Sequence, residues 1–413
     1  MAFGWIVIGN IPYSLLDEVG WFSVSEDIVR AIAGGEDDCD DAYFINVGFD
    51  KQVTDVELRP FEIGHVAITD RKVLLDFLTI AERADYKYIF LDIRFEKGYD
   101  TTSDSALFAK IAGMRDIVCA YHYEKRDDKR DHRSNGFEIA DSALLPKCAY
   151  NDYYTSLFSS NFTRYTYLQD GRPSVALRMY QDIDGKTLQR HGLIYKNDGK
   201  WCENCSYIPI WGGVAPVYDT TFVNTAQYRN LGPFLMTLPE QHLIESMKGK
   251  IVVLGDFEED IHDTYMSMLP GPYLTYLAYK HLARGGNNIS ILWLVIMTLV
   301  FFLFIWHILS PASLFPRCIY QCIRDFFDRY RTTQVIANWY RRIRDFFGKY
   351  RFFRIILALI YSILFTLICS AVFLISGHAF NVLIPSLIIS FITIVKESEK
   401  KPIEQPSEKT VAK

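Results

Sequence analysis

The stretch YKYIFLDI, Tyr86–Ile93, has an unbroken apolar centre and closes on Asp92; its reading decides the fold. An apolar run of this length between helical patterns is a strand in a sheet that helices cover. Working outward, Tyr43–Val47 (YFINV) and Ile117–Tyr121 (IVCAY) read the same way. Between the first two, Asp70 caps a helix over Arg71–Ala84, where Val73, Leu74, Phe77, Leu78 and Ile80 form one apolar stripe. Asp104 opens a second helix with Leu107, Phe108 and Ile111 inward. Pro239–Met247 reads as a helix, Ile251–Leu254 (IVVL) as a strand and Tyr273–Leu282 as the last helix. The pattern predicts an α/β domain with a mostly parallel sheet flanked by helices. Residues 150–235 break it. They are rich in Tyr, Thr and Gly, with turn signals at Asp170-Gly171, Asp184-Gly185 and Asp198-Gly199, and predict a β-rich insertion of hairpins. The charged run Glu124–Arg133 reads as a solvated loop.

Beyond this domain lie three runs free of Asp, Glu, Lys and Arg: Ile289–Leu309, Ile355–Ser376 and Ala379–Val395. An α-helix needs about 20 such residues to cross a bilayer core. The runs predict an all-α transmembrane module with helices at 288–309, 355–376 and 379–395. Three spans behind a large water-facing head suit sensing, binding or anchoring better than transport.

Charge divides the chain in the same place. After residue 287 there are 15 Lys/Arg against 7 Asp/Glu, which leaves 29 against 42 before it. An acidic head lacks the clustered cations that nucleic-acid binding requires. The connector 310–354 holds ten of the basic residues, from Arg317 to Arg354, and a short loop so enriched belongs in the cytoplasm. The head is therefore expected outside the inner membrane of a bacterium, and the tail 396–413 inside and disordered. Residues 1–19, apolar and without a positive leader region, read as the last turns of a transmembrane helix that begins upstream.

Within the connector IRDFFDRYR (Ile323–Arg331) recurs as IRDFFGKYR (Ile343–Arg351). Ile323, Phe326, Phe327 and Tyr330 share one helical face; Trp339, Ile343, Phe346, Phe347 and Tyr350 share the matching face of the second copy. Such basic amphipathic helices lie in the bilayer interface and bind anionic lipid. They serve either as a membrane-surface anchor or as a docking surface for a cytoplasmic effector or a second protomer.

Ligand-binding candidates follow from position. Ligands in open α/β sheets bind beyond the carboxyl ends of the strands. Asp92 stands there, and Asp256, Glu258, Glu259, Asp260, His262 and Asp263 crowd the loop after IVVL; Asp104 is a further candidate. Carboxylates beside a histidine suit a divalent cation or a cationic group; a solvated acidic loop is the plainer alternative. Cys202 and Cys205 (WCENC) predict a short disulfide at a hairpin tip, since half of a four-ligand zinc site is missing. Cys39, Cys119 and Cys148 show no readable pairing. The sequence holds no hydrolase elbow, phosphate-cradling loop, kinase signature or HExxH spacing, and no cofactor is expected.

The order of motifs resembles the CHASE type 2 domain, an extracytoplasmic sensory module of bacterial signalling proteins. The matching segments run from FINVGFD (Phe44–Asp50) and ITDR (Ile68–Arg71) to FLDIRFEKG…DSALFAKI (Phe90–Ile111). DGRPSVALRMY (Asp170–Tyr180), FVN (Phe222–Asn224), KGKIVVLGDFEEDIHDTY (Lys248–Tyr265) and PGPYLTYLAYKHLARG (Pro270–Gly285) follow. The resemblance covers most of residues 20–287. It implies an extracytoplasmic sensor and three spans leading to an output domain; separately, a helix that carries a signal into the membrane is expected to work within a homodimer. No output segment follows the third span in this sequence, so signalling is expected in trans. The competing reading is a non-enzymatic envelope assembly or scaffold subunit. An extracytoplasmic enzyme would have to work from Asp92, Asp256 and Asp263.

Overall fold

The computed structural model describes residues 39–59, 62–121, 139–155, 162–208 except 193, 228–264, 268–289 and six isolated positions from 291 to 302. The chain divides into a unit centred on Phe3–Ile289 and another on Ser290–Ile375 and Ala379–Lys413; the fold below is that of the first. Its strands are β1 (Ala42–Asn46), β2 (Lys51–Arg59), β3 (Glu62–Thr69), β4 (Tyr88–Asp92), β5 (Ile117–Tyr121), β6 (Cys148–Tyr150), β7 (Tyr154–Thr155), β8 (Phe162–Thr166), β9 (Leu168–Gln169) and β10 (Arg172–Pro173). They continue as β11 (Leu188–His191), β12 (Ile194–Asn197), β13 (Lys200–Cys202), β14 (Cys205–Tyr207), β15 (Tyr228–Asn230), β16 (Ile251–Gly255), β17 (Ile261–Asp263) and β18 (Met268–Pro270). The helices are α1 (Arg71–Ala81), α2 (Asp104–Gly113), α3 (Val175–Asp184), α4 (Leu231–Thr237), α5 (Glu240–Met247) and α6 (Gly271–Ala283).

Six strands form the central sheet in the order β15-β1-β16-β4-β5-β6, with every pairing parallel. Alternation along each strand sends side chains to opposite faces. One face is apolar: Tyr43, Ile45, Ile89, Leu91, Val252 and Leu254 pack with Leu74 and Phe77 of α1, Leu107 and Ile111 of α2, and Phe234, Leu243 and Met247 of α4 and α5. On the other face Phe44 meets Tyr273 and Tyr276 of α6 edge-on, at ring distances of 5.7 and 5.4 Å. Here buried tyrosines carry their hydroxyls to partners, as their polar tips require. Tyr88 donates to Asp182 of α3 at 2.6 Å, and Tyr276 to Asp41 at 2.5 Å.

Local chemistry sets the element ends. The Asp70 carboxylate accepts from the amides of Lys72 and Val73 at 2.9 and 3.0 Å and starts α1, which stops at Ala81. Both Asp-Gly loops at 170–171 and 198–199 have positive φ at both residues and close two-residue hairpins, β9–β10 and β12–β13. Asp184-Gly185 does something else. Gly185, at φ 65°, ends α3 as a left-handed cap. The segment 150–235 is thus only partly an excursion: α3 packs on β4, β5 and α6, and β15 joins the central sheet.

β2 and β3 make a separate antiparallel ribbon, and Val53 and Ile63 on it are largely exposed. Among the described residues no helix is long and apolar enough to cross a membrane. Most of the three apolar runs, the connector with its repeated motif, the tail, residues 1–38 and Glu124–Arg133 lie outside the described residues.

Candidate functional site

Because all six strands are parallel, their carboxyl ends form one line. Asn230, Asn46, Gly255 and Asp92 are register partners in that order. The face they share lies under α6. A Cβ on Gly255 would fall 2.2 Å from Cγ of Pro272 and 3.1 Å from Cβ of Asp92. The bare glycine lets the first turn of α6 settle onto the sheet, and it separates two polar groups.

The first group surrounds Asp92. Asn151, just past β6, is fully buried and sends Nδ2 to Oδ1 and Oδ2 of Asp92 at 3.2 and 3.3 Å. Its Oδ1 accepts from Oγ1 of Thr275 in α6 at 2.9 Å and from the hydroxyl of Tyr165 at 3.2 Å. Tyr153 donates to the Gly271 carbonyl at 2.7 Å and also meets Thr275 Oγ1. The His262 ring lies 4.4 Å from that of Tyr153, and its Nε2 is 3.1 Å from Asp260 Oδ1. Asn151, Tyr165 and Thr275 form a buried floor; Asp92, Tyr153, Asp260 and His262 are partly exposed around it. Burial, reinforced by the Asp92 charge, pushes the Tyr153 and Tyr165 hydroxyls above their ordinary pKa. Both therefore stay protonated at neutral pH, and their protons go to the Gly271 carbonyl and to Asn151 Oδ1.

The second group is a lock. Asn46, buried, accepts from the amides of Gly48 and Phe257 at 2.9 and 3.1 Å and reaches Asn230 Oδ1 at 3.0 Å. It approaches Glu258 Oε1 at 3.4 Å. Asp256 accepts from Lys51 Nζ at 2.6 Å and from the amides of Glu259 and Glu258 at 2.8 and 3.0 Å. Burial opposes its charge, but these hydrogen bonds outweigh burial and hold the carboxyl below its ordinary range. A carboxylate so fully engaged shapes a loop rather than waiting for a ligand.

The predicted site residues therefore separate. Asp92 and His262 converge with Asp260 on the first group, and Asp256 and Glu258 belong to the lock. Asp263 is exposed, in the β17–β18 ladder opposite Met268. Asp104 joins none of them: it accepts from Thr101 N and Oγ1 at 2.7 and 2.9 Å and lies 3.7 Å from the buried Arg71. The expected bridge between Cys202 and Cys205 is not formed. Cys202 ends β13 in one sheet and Cys205 opens β14 in another, where its sulfur meets Thr166 Oγ1 at 3.3 Å. Burial pushes their thiols up to about 12 and about 11.

Sequence reasoning missed Asn151, Tyr153, Tyr165 and Thr275. A signal for Asn151 existed: it is a polar residue at the end of a short strand, CAY, just as Asp92 ends YIFLD. Among the described residues, no group of three or more His, Cys, Asp or Glu is placed to hold a metal ion. The first group offers two carboxylates, Asp92 and Asp260, with hydroxyl groups and an aromatic rim, a set suited to a cationic or hydroxyl-bearing small molecule. No family model, curated protein or solved structure matches the chain.

Proposed function

We propose that the chain is a membrane-anchored extracytoplasmic sensor of the CHASE type 2 kind. Its α/β head binds a small cationic or polyhydroxylated ligand at Asp92 and signals in trans through the membrane bundle. The observation that carries this reading is the first polar group itself. A partly exposed carboxylate is held from below by a buried asparagine that also holds α6. A ligand that changes the Asp92–Asn151 bonds changes the seat of α6, and α6 ends at Ala283, six residues before the first apolar run at Ile289. Differential affinity for two seats of that helix is all a ligand needs to shift the balance between them. Pairing of two protomers in the membrane, with the connector's aromatic faces on anionic lipid or on an effector, completes the output.

The test uses the full chain in detergent. Melting is followed against a panel of amines, amino acids and polyols, in wild type and in Asp92→Asn. A ligand that raises Tm in wild type and not in the variant supports the sensor. A panel without effect, with a defined envelope protein cross-linking to the head in cells, replaces it with the scaffold reading. Sidedness is tested by impermeant thiol labelling of single cysteines in intact cells: the head should react and the 310–354 connector should not.

A further inference from the structure

Cys119 and Cys148, which have no pairing legible in the sequence, are register partners on the adjacent parallel strands β5 and β6. Register partners project to the same face, and here both thiols lie on the apolar side of the sheet. Neighbouring strands run about 4.8 Å apart. Disulfides join Cα atoms separated by roughly 4.4–6.8 Å, so strand spacing alone brings the pair within range. The two thiols are close enough to shift one another's titration. Neither cysteine is bridged: Cys119 is buried, and Cys148, on the sheet's outermost strand, is partly open to solvent.

We propose that Cys119 and Cys148 are a redox pair, closing to an interstrand disulfide by exchange with an external disulfide. Cys148, the reachable member, attacks as a thiolate; a mixed disulfide forms and the first external thiol leaves. Cys119 then gives up its proton and attacks the Cys148 sulfur, releasing the second external thiol. Two protein thiols are oxidised, one external disulfide is reduced to two thiols, and the two protons end on those thiols. The division of labour fits the electrostatics. The neighbouring Cys119 thiol holds the Cys148 thiol below its ordinary value, while that same closeness and burial push Cys119 up.

The closed bond acts on the site, because Asn151 is the third residue after Cys148. Tying β6 to β5 fixes the strand that carries Asn151 beneath Asp92, so the redox state of the pair sets how firmly the floor is held. This inference stands on strand register and is independent of the sidedness and ligand proposed above.

The experiment equilibrates the wild-type full chain with graded mixtures of reduced and oxidised glutathione, quenches with an alkylating agent, and maps the peptides by mass. A linked 119–148 peptide, two hydrogens lighter than the reduced pair, is the expected product. It should form in more reducing mixtures than any other cysteine pair of the chain. The oxidised wild type should also unfold at higher denaturant than the reduced form, whereas Cys148→Ser should be indifferent to the buffer. Full alkylation of both residues after oxidation would overturn the proposal. So would Cys148 found only as a glutathione adduct, or bonded to another cysteine.

Discussion

The two faces of the central sheet use different chemistry. The face under α1, α2, α4 and α5 is apolar apart from the buried Arg71–Asp104 pair, with Leu74, Phe77, Leu107 and Met247 buried and asking nothing of their neighbours but contact. The face under α3 and α6 buries Tyr88, Tyr165, Tyr167, Tyr276, Asn46, Asn151 and Thr275, and many of their polar atoms are matched by a named partner. A face that depends only on packing tolerates nothing missing but has one state. A face that depends on matched hydrogen bonds can exchange partners, so the responsive chemistry gathers there.

Truncation on the apolar face should have the largest effect. Phe77→Ala removes a fully buried ring and should cost about 3–5 kcal/mol in chemical denaturation, without changing which ligands the head binds. On the other face Asn151→Ala should cost about 2–3 kcal/mol, because it takes one partner each from Asp92, Thr275 and the buried Tyr165 hydroxyl. Unlike Phe77→Ala, it should also abolish any ligand-dependent rise in Tm. Should both variants lose stability and retain the ligand shift, the contrast between the faces fails. Gly255→Ala forces Pro272 away from the sheet and should cost about 1–3 kcal/mol. Its diagnostic is weakened ligand response with a normal apolar core, seen by amide exchange in β4 and β16.

The smallest effect is expected at the lock. The folded-state Asp256 carboxyl titrates below its ordinary value of 3.8. Its pairing therefore adds stability above that value, and the contribution fades as pH falls through the lower folded pKa. Lys51→Met removes the principal partner, so the midpoint of acid unfolding should move to higher pH, with a loss of about 1 kcal/mol at neutral pH. An unmoved acid midpoint would show that the backbone amides alone hold the charge.

Much of this architecture was legible in the sequence. β4, β5 and β16 stand out as short apolar runs, and Asp70 and the two hairpin Asp-Gly loops announce their geometry through side-chain and φ requirements. Half of the site was not legible. Asp92 could be found because a carboxylate at the end of a buried strand is conspicuous. Asn151 follows a three-residue strand too short to give a period, Thr275 lies inside an apolar helix, and Tyr153 and Tyr165 are lost among many tyrosines. These four meet only through register and helix docking, which local pattern does not encode. The cysteines show the same limit. Spacing favoured Cys202 with Cys205, two residues that fold into different sheets, while residues 29 positions apart became neighbours on adjacent strands.

The ribbon of β2 and β3 has a practical consequence. Among the described strands it pairs with no third, and Val53 and Ile63 stand largely exposed on it. In concentrated stocks the ribbon invites a neighbouring molecule to add itself as another strand. Shelf life should therefore be governed by this appendage rather than by melting of the domain that bears it.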